Sequence, residues 1–172
     1  MLVLEPFDTN LTEDIERLIT WIDTEYINVV WASKKFNFPL EKEQLLNHFI
    51  NAKAANIAVF KLVDINLETN DKIVVGHAEI DNLIEEIKIS RIIIDEKCRG
   101  KGFGTSSMKL LIQWIKDNLT GYNRICLTVF TFNEHAIKVY QNVGFELLEI
   151  DHGYFQYGEE IWDRAKYILE DN

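Results

Sequence analysis

The stretch IKISRIIIDEKCRGKGFGTSSMKLLIQWIKDNL, residues 87–119, predicts a strand, a glycine loop and a helix in succession. Its first part, Ile87 to Ile94, is short and rich in β-branched isoleucine, which favours a strand. Its last part, Thr105 to Leu119, repeats apolar residues at the spacing of one helical face. Between them, Arg99 to Gly104 alternates glycine with basic or aromatic residues. A loop therefore connects the end of a strand to the start of a helix.

The loop Arg99 to Gly104 has the composition of an anion-binding site. Its three glycines carry no side chains that would block close approach, so their backbone N–H groups can converge on one anion. Arg99 and Lys101 add positive charge, and the following helix adds its dipole. A glycine cluster can equally be a plain turn, but the flanking strand and helix favour a phosphate site. The glycine spacing fits neither the P-loop nor the Rossmann fingerprint, so neither ATP nor NAD is predicted.

The periodicities along the chain predict one domain over residues 1–172, because no Pro/Gly/Ser-rich stretch offers a linker. The order is a strand, two helices, three strands, the helix after the loop, a strand, a helix and two strands. This is an α/β arrangement with a mixed sheet of about seven strands, in which the helix after the loop makes a right-handed parallel crossover. The first helix follows a capping pair, Asn10 with Glu13, and the second runs near Leu40 to Ala52, with Trp31 and Phe36 between them. The other predicted elements are strands at Leu2–Phe7, Asn56–Ile65, Lys72–Ile80, Glu86–Asp95, Arg124–Asn133, Glu146–Ile150 and Ile161–Leu169, and a helix at Glu134–Val143.

Composition narrows the class of partner. A net charge of −10 argues against a nucleic-acid surface, and it would favour a cationic acceptor such as an amine or simply keep the protein soluble. Acidic residues interrupt every apolar stretch well short of a membrane span, so we expect a cytoplasmic protein without a membrane partner. Two cysteines and four scattered histidines predict neither a disulfide nor a metal site.

Two motifs resemble the GNAT superfamily of acyl-CoA-dependent N-acetyltransferases. Arg99-x-x-Gly102-x-Gly104 matches the Arg/Gln-x-x-Gly-x-Gly/Ala signature, and the segment from Asn133 to Phe145 resembles the Asn-x-x-Ala-x-x-x-Tyr-x-x-x-Gly-Phe segment of that family. The similarity is strong over residues 72–145. Residues 31–40 and 158–162 resemble the branch that contains ribosomal-protein N-acetyltransferases.

The resemblance implies a GNAT fold whose fourth and fifth strands splay apart and leave a cleft for the pantetheine arm of acetyl-CoA. The loop then binds the pyrophosphate, the end of the fourth strand offers backbone groups to the pantetheine amides and the thioester carbonyl, and the next helix adds two contacts. The implied cofactor-binding residues are Arg99, Gly100, Lys101, Gly102, Phe103, Gly104 and Thr105 in the loop, Ile92, Ile93 and Ile94 in the strand, and Asn133 and Tyr140 beside it.

Catalysis by such a site needs an acid for the leaving thiolate and a route for the amine proton. The resemblance assigns the acid to Tyr140, whose phenol, with a pKa of about 10, stays protonated at neutral pH. Glu86 and Glu79 are candidates for the base, although either can be an ordinary surface carboxylate. Arg91 interrupts the apolar pattern of its strand, which indicates a bulge or an inward charged residue near the site, or equally a solvated edge residue. Trp31, Phe38 and Trp162 can line an acceptor pocket or belong to the core.

The implied activity is N-acetyl transfer from acetyl-CoA to a primary amine, by direct attack in a ternary complex, since neither Cys98 nor Cys126 is placed as a covalent relay. The alternative is a regulatory module that binds coenzyme A without catalysis. The acceptor, a small molecule or a protein N-terminus, stays open, as do the acyl chain length and the formation of a homodimer.

Overall fold

A mixed sheet of seven strands forms the frame of the protein in a computed structural model, which describes residues 1–8, 12–52 and 54–170. The strands are β1 (Leu2–Pro6), β2 (Ile57–Ile65), β3 (Lys72–Asn82), β4 (Glu86–Ile94), β5 (Arg124–Phe130), β6 (Glu146–Tyr157) and β7 (Glu160–Glu170). They lie side by side in the order β1-β2-β3-β4-β5-β7-β6. Every neighbouring pair is antiparallel except β4 with β5, which is parallel.

Helices cover both faces of this sheet. Three of them, α1 (Thr12–Trp21), α2 (Glu25–Ala32) and α3 (Lys42–Ala52), follow one another between β1 and β2. A short 3-10 turn (Glu96–Cys98) leads from β4 to α4 (Phe103–Asn118), and α5 (Glu134–Asn142) joins β5 to β6. The parallel connection from β4 to β5 therefore runs through α4, as predicted.

Two hydrophobic cores lie on opposite faces of the sheet. On one face, Met108, Leu111 and Ile115 of α4 pack with Ile87 and Ile89 of β4. On the other face, the inward sides of α1, α2 and α3 pack together with Ile93. Burying each of these leucine or isoleucine side chains contributes about 1.5–3 kcal/mol, so both helical layers are fixed to the sheet.

The sheet opens in its middle, between the two parallel strands. β4 and β5 pair only at their first residues, Glu86 to Lys88 with Arg124 to Cys126. Beyond Lys88 the strands separate, so the rest of β4 has no strand beside it on that edge. The splay implied by the resemblance is confirmed, and it leaves an opening that we call the gap, bounded by β4 residues 89–94 and β5 residues 127–130.

The helix α2 corrects the predicted order, in which only two helices stand between the first two strands. Trp31, predicted to lie between helices, is the seventh residue of α2. Thr24 caps this helix, because its hydroxyl accepts a hydrogen bond from the Ile27 amide at 3.2 Å. Pro39 lies before the first turn of α3, which begins at Lys42. Of the predicted capping pair, Asn10 lies outside the described residues.

Candidate functional site

The loop after β4 has its backbone amides free at the start of α4. Gly100 and Gly102 adopt positive φ angles of 76° and 81°, a conformation that glycine reaches without strain. Gly102 precedes the helix, and no side chain caps the first turn. The amides of Phe103, Gly104 and Thr105 therefore have no intrahelical acceptor, as in the first turn of any α-helix. A Cβ at Gly100 or Gly102 would meet no atom within 4 Å, so the space in front of the loop is open.

Positive charge surrounds this open space. Lys97, Arg99 and Lys101 are exposed within five residues of one another. The Arg99 Nε donates to the Ile94 carbonyl at 3.2 Å, which ties the loop to the end of β4. Free amides, a helix N-terminus and three cations together fit a diphosphate group, so the loop can hold coenzyme A.

The bulge at Arg91 shapes the β4 edge of the gap. Arg91 has a positive φ of 48°, and the register between β3 and β4 shifts opposite it. The Trp31 indole Nε1 donates to the Arg91 carbonyl at 2.7 Å, so α2 is bound to the bulge. The prediction of a bulge at Arg91 is therefore confirmed. Because the chain direction changes here, the main chain of Ile92 to Ile94 follows the opening of the gap.

A cluster of buried polar side chains around Glu79 stabilises the bulge at Arg91. Glu79 is fully buried, which contradicts the reading of this residue as a surface carboxylate. One of its carboxylate oxygens lies 2.8 Å from His48 Nε2 and 2.7 Å from Arg91 Nε, and the other lies 3.2 Å from His77 Nε2. Arg91 also contacts Asp81 at 2.9 Å, and Ser90 donates to the same carboxylate at 2.9 Å.

These partners keep Glu79 ionised. Burial alone would raise the pKa of Glu79, but hydrogen bonds from His48 and His77 and the charge of Arg91 lower it far below the ordinary value of 4.5. A carboxylate held in this way is a poor proton acceptor. Glu79 therefore stays bound to its partners and supports the bulge.

The structure places Glu86 far from the loop, at the opposite end of β4. Glu86 faces Arg124 across the paired part of the two strands. Its carboxylate lies 2.6 Å from Arg124 Nε and 2.9 Å from Lys166 Nζ, and the Lys166 hydrogen bond is the largest cause that lowers its pKa. Glu86 thus forms ion pairs at the end where β4 and β5 are still paired. The structure does not bring it together with the loop or Tyr140.

Tyr140 and Asn133 lie on α5, which packs against the start of α4. A Cβ at Gly104 would lie 3.6 Å from Val139, the residue before Tyr140, so the two helices meet at the loop. Tyr140 is half-buried against the core, and burial raises its pKa to about 12. No hydrogen bond joins its hydroxyl to another described residue. Asn133 caps α5, accepting from the Ala136 amide at 3.3 Å, which leaves its amide nitrogen for a ligand.

The two cysteines are poor nucleophiles. Cys98 is half-buried in the 3-10 turn, and burial raises the pKa of its thiol. Cys126 is buried in β5, where burial and the charge of Glu86 raise its thiol pKa to about 11. Both thiols are protonated at neutral pH, and a thiol is far less nucleophilic than a thiolate.

Two further features, a metal-binding cluster and a membrane-spanning helix, are absent from residues 1–8, 12–52 and 54–170. This part of the chain contains no group of three or more histidine, cysteine or acidic side chains that could hold a metal ion. None of its helices is both long and apolar enough to span a bilayer.

Of the aromatic side chains predicted for an acceptor pocket, Trp31 and Trp162 are buried and Phe38 is exposed. The sequence reasoning missed His48 and His77 as partners of Glu79. His77 and Glu79 stand two residues apart on β3, and this spacing was the available signal that they share a face. His48 comes from α3, 31 residues before Glu79, and no local pattern indicates that contact.

Comparisons with known proteins agree with this geometry. The family model described as "Acetyltransferase (GNAT) family" matches residues 16–145. A spermine/spermidine N(1)-acetyltransferase of Bacillus subtilis is 41% identical over 66 residues, which are 38% of this chain and 43% of that protein. An L-amino acid N-acetyltransferase of Escherichia coli is 36% identical over 78 residues, 43% of this chain and 48% of that protein. The chain thus matches less than half the length of these relatives.

Solved structures share the fold over nearly the whole chain. A spermidine N-acetyltransferase of Vibrio cholerae, crystallised with CoA and spermine, superposes with a TM-score of 0.80 at 17% identity. The superposition covers 98% of this chain and 95% of that one.

Proposed function

Because this chain belongs to the acetyltransferase (GNAT) family, we propose that it transfers an acetyl group from acetyl-CoA to a primary amine. The observation that carries the proposal is the convergence of three elements at one end of the sheet. The cationic glycine loop follows β4, the gap opens beside the same strand, and Tyr140 lies on the helix that packs against the loop.

Coenzyme A would be held by the loop and the β4 edge. The amides of residues 100–105 and the cations of Lys97, Arg99 and Lys101 face the open space that suits its diphosphate. On the side away from β3, the main chain of Ile92 to Ile94 would offer hydrogen-bonding groups to the pantetheine arm, because β5 pairs with β4 only as far as Lys88. Asn133 would add a contact from the α5 side.

The same strand edge stabilises the charge that develops during transfer. When the amine attacks, negative charge grows on the thioester oxygen, and a backbone N–H of β4 can donate to it. The bulge matters here, because it fixes the direction of that main chain before the substrate arrives. The arrangement costs no reorganisation at the moment of reaction.

Tyr140 would donate the proton that the leaving thiolate takes up. With a pKa near 12, its phenol is protonated throughout the neutral range. Its hydroxyl has no described partner that it must leave first. Water at the open end of the gap can return the proton afterwards.

The proton of the attacking amine has a different route. Glu79 is saturated by its partners, and Glu86 lies at the paired end of the strands. We therefore assign neither carboxylate as the general base. We propose that the amine loses its proton to solvent at the open end of the gap, where β4 and β5 end, which we call the mouth of the gap. The rate should then rise with pH as the neutral fraction of the amine increases.

Direct attack within a ternary complex is the mechanism we favour. Cys98 and Cys126 both have raised thiol pKa values, so neither is a ready acetyl carrier. The acetyl group would pass from sulfur to nitrogen in one transfer, and coenzyme A would leave as the protonated thiol.

For the acceptor, we propose a polyamine before a protein N-terminus. The net charge of −10 attracts cations, and relatives that share the matched segment are a spermine/spermidine and an amino-acid N-acetyltransferase. The experiment is a thiol-release assay with acetyl-CoA against spermidine, aminoglycosides and peptides that begin with alanine or serine. We expect release with spermidine above all.

Because no carboxylate is assigned as a dedicated base, there is a second candidate function. It is a regulatory module that binds acyl-CoA as a signal without catalysis. Tight binding of acetyl-CoA with no thiol release across that panel would establish this second function and refute the first.

A further inference from the structure

An aromatic cluster lies where α2 crosses the end of β5. Its centre is Trp162, a buried ring whose centroid is 4.8 Å from that of Phe132 and 5.6 Å from that of Tyr26. Tyr26 and Phe132 are themselves 6.3 Å apart. Unlike Trp162, these two rings are open to solvent, with 45% and 41% of their surface exposed. Phe132 also stacks on the buried ring of Phe130, with centroids 5.5 Å apart, so only the remaining surface of Phe132 and the exposed part of Tyr26 are open to a ligand.

These two rings stand at the mouth of the gap. Phe132 lies two residues beyond β5 and directly precedes Asn133, which caps the helix that carries Tyr140. Tyr26 lies in the first turn of α2, whose last turn reaches the β4 bulge through Trp31. Because α2 spans from the edge of one splayed strand to the end of the other, its exposed first turn faces an acceptor that approaches on this side of the sheet.

Unpaired negative charge accompanies the two rings. Glu25 directly precedes Tyr26, and Glu134 follows Phe132 by two residues. Glu160 accepts a hydrogen bond from the Trp162 indole at 2.7 Å, which places its carboxylate at the cluster. All three carboxylates are exposed, and within the described ranges none of them forms an ion pair.

Two more rings belong to this cluster, Phe155, which stacks on Trp162, and Tyr154, which contacts Phe130, and both already bind cations of the same chain. Lys34 Nζ lies 5.3 Å from the centroid of Phe155, and the Arg164 guanidinium lies 3.6 Å from that of Tyr154. Tyr26 and Phe132 have no comparable cation among the residues that the structure describes. Within the described residues, they are the two exposed rings of the set that have no cation against them.

We propose that Tyr26 and Phe132, with Glu25, Glu134 and Glu160, form a subsite for the distal ammonium group of a linear diamine or polyamine. The inference rests on the proposed function and adds the residues that select the acceptor. The distal end binds as a cation against ring faces and carboxylates, while the other end enters the gap as the neutral amine that reacts. An acceptor with an uncharged tail gains apolar contact at this subsite. It gains neither the cation–π attraction of the rings nor the attraction of the carboxylates.

The test compares hexamethylenediamine with hexylamine, which have the same chain length and differ in the second charge. In Phe132→Leu and Tyr26→Leu the apolar contact with Trp162 is kept and the ring face is lost. We expect each variant to lower kcat/KM for the diamine by about two- to fivefold and to leave the hexylamine value nearly unchanged. Glu160→Gln, which keeps an acceptor for the indole, should lower the diamine value by about twofold.

Two matched controls and a binding measurement complete the design. Ile84→Ala removes an apolar side chain that is 96% exposed in the turn at the far end of β4, and Glu43→Gln removes an exposed carboxylate from the first turn of α3. Neither should alter the preference between the amines. Equal losses for both amines, no loss, or a raised KM for acetyl-CoA in the ring variants would overturn the subsite.

Failure of the proposed function would be seen separately, as no thiol release with any amine. In that case calorimetry of hexamethylenediamine with the wild-type chain decides the subsite. If Phe132→Leu and Tyr26→Leu each weaken the binding of hexamethylenediamine by about two- to fivefold, the subsite is supported. If the Kd is unchanged in both variants, the subsite is overturned.

Discussion

The phenol of Tyr140 combines a raised pKa with a hydroxyl that has no described protein partner. Both properties come from its place on α5 beside the loop helix. A tyrosine that served only the core would keep its role in packing if the hydroxyl were removed. The two roles of this residue can therefore be separated by deleting one oxygen atom.

We expect Tyr140→Phe to lower kcat by about a hundredfold, because general acid catalysis contributes on that order. The KM for acetyl-CoA should change little, since the ring still packs against Phe145. Steady-state kinetics across pH measures both values. An unchanged kcat at every pH would show that another group, or water, protonates the sulfur.

Gly102 offers a second single-residue test, because a matched glycine exists elsewhere. Gly102 and Gly121 have φ angles of 81° and 79°, and a Cβ at either meets nothing within 4 Å. Alanine at each position should cost about 1–2 kcal/mol of stability through the same backbone strain. Only Gly102→Ala should also weaken the binding of coenzyme A, by about tenfold in Kd, because only its loop is proposed to bind the diphosphate. Equal Kd values for both variants, measured by calorimetry, would contradict the loop assignment.

Among the elements, β4 has the most demanding conformation. Its bulge needs a positive φ at Arg91, an ion pair from Glu79 and a hydrogen bond from Trp31. It also needs glycine at position 76, because a Cβ there would lie 2.5 Å from the Ile93 carbonyl oxygen. These contacts come from two different elements, β3 and α2, and converge on β4.

Glu79→Gln should loosen that edge. We expect it to lower the free energy of unfolding by about 3 kcal/mol, because Arg91 loses a buried anionic partner. It should also lower kcat/KM by more than the loss of folded protein explains. The control is Glu86→Gln, the same chemical change at the paired end of β4, which should cost about 1 kcal/mol and leave kcat nearly intact. If Glu86→Gln abolished turnover while Glu79→Gln did not, Glu86 would regain its predicted catalytic role.

The two carboxylates also predict how stability depends on pH. The pKa values of Glu79 and Glu86 are both lower in the folded chain than the ordinary value of 4.5. Their contribution is therefore present above pH 4.5 and is lost as pH falls through the folded values. Denaturant unfolding should show falling stability below that pH, with a shallower fall in Glu79→Gln. If the free energy of unfolding changed by no more than the measurement error between about pH 3 and about pH 6, that result would contradict this linkage.

The helix α2 shows where sequence reasoning at this level reached its limit. The loop helix, α5 and the strands other than β6 have clear periodicity, and they were predicted within about three residues. The strand predicted at Glu146–Ile150 continues to Tyr157 in the structure. In contrast, α2 is eight residues long and carries β-branched and aromatic side chains on several sides. It contacts the β4 bulge, the aromatic cluster and the second core, so no single apolar stripe marks it.

For the chain as a whole, the fold was predictable because two motifs and seven strands point to one topology. The confirmed splay followed from that resemblance. The side-chain contacts that hold the two ends of β4 were not predictable, because they join distant parts of the chain. His48 meets Glu79 across 31 residues, and Lys166 meets Glu86 across 80, so only the folded sheet brings these groups together.

The charge distribution of the molecule suits the two proposed substrates. A chain with net charge −10 concentrates three cations at the loop, where an anionic coenzyme would bind, and places exposed carboxylates beside the rings proposed for the acceptor. The anion and the cation are therefore attracted to different sites and do not compete. Salt should weaken the binding of both.

The most direct measurement is the initial rate of thiol release while acetyl-CoA and spermidine are varied together. The account predicts turnover that depends on both substrates, with double-reciprocal lines that intersect, because both must be bound when the acetyl group moves. Parallel lines would indicate an acetylated protein intermediate, and binding of acetyl-CoA without any thiol release would refute the proposed activity.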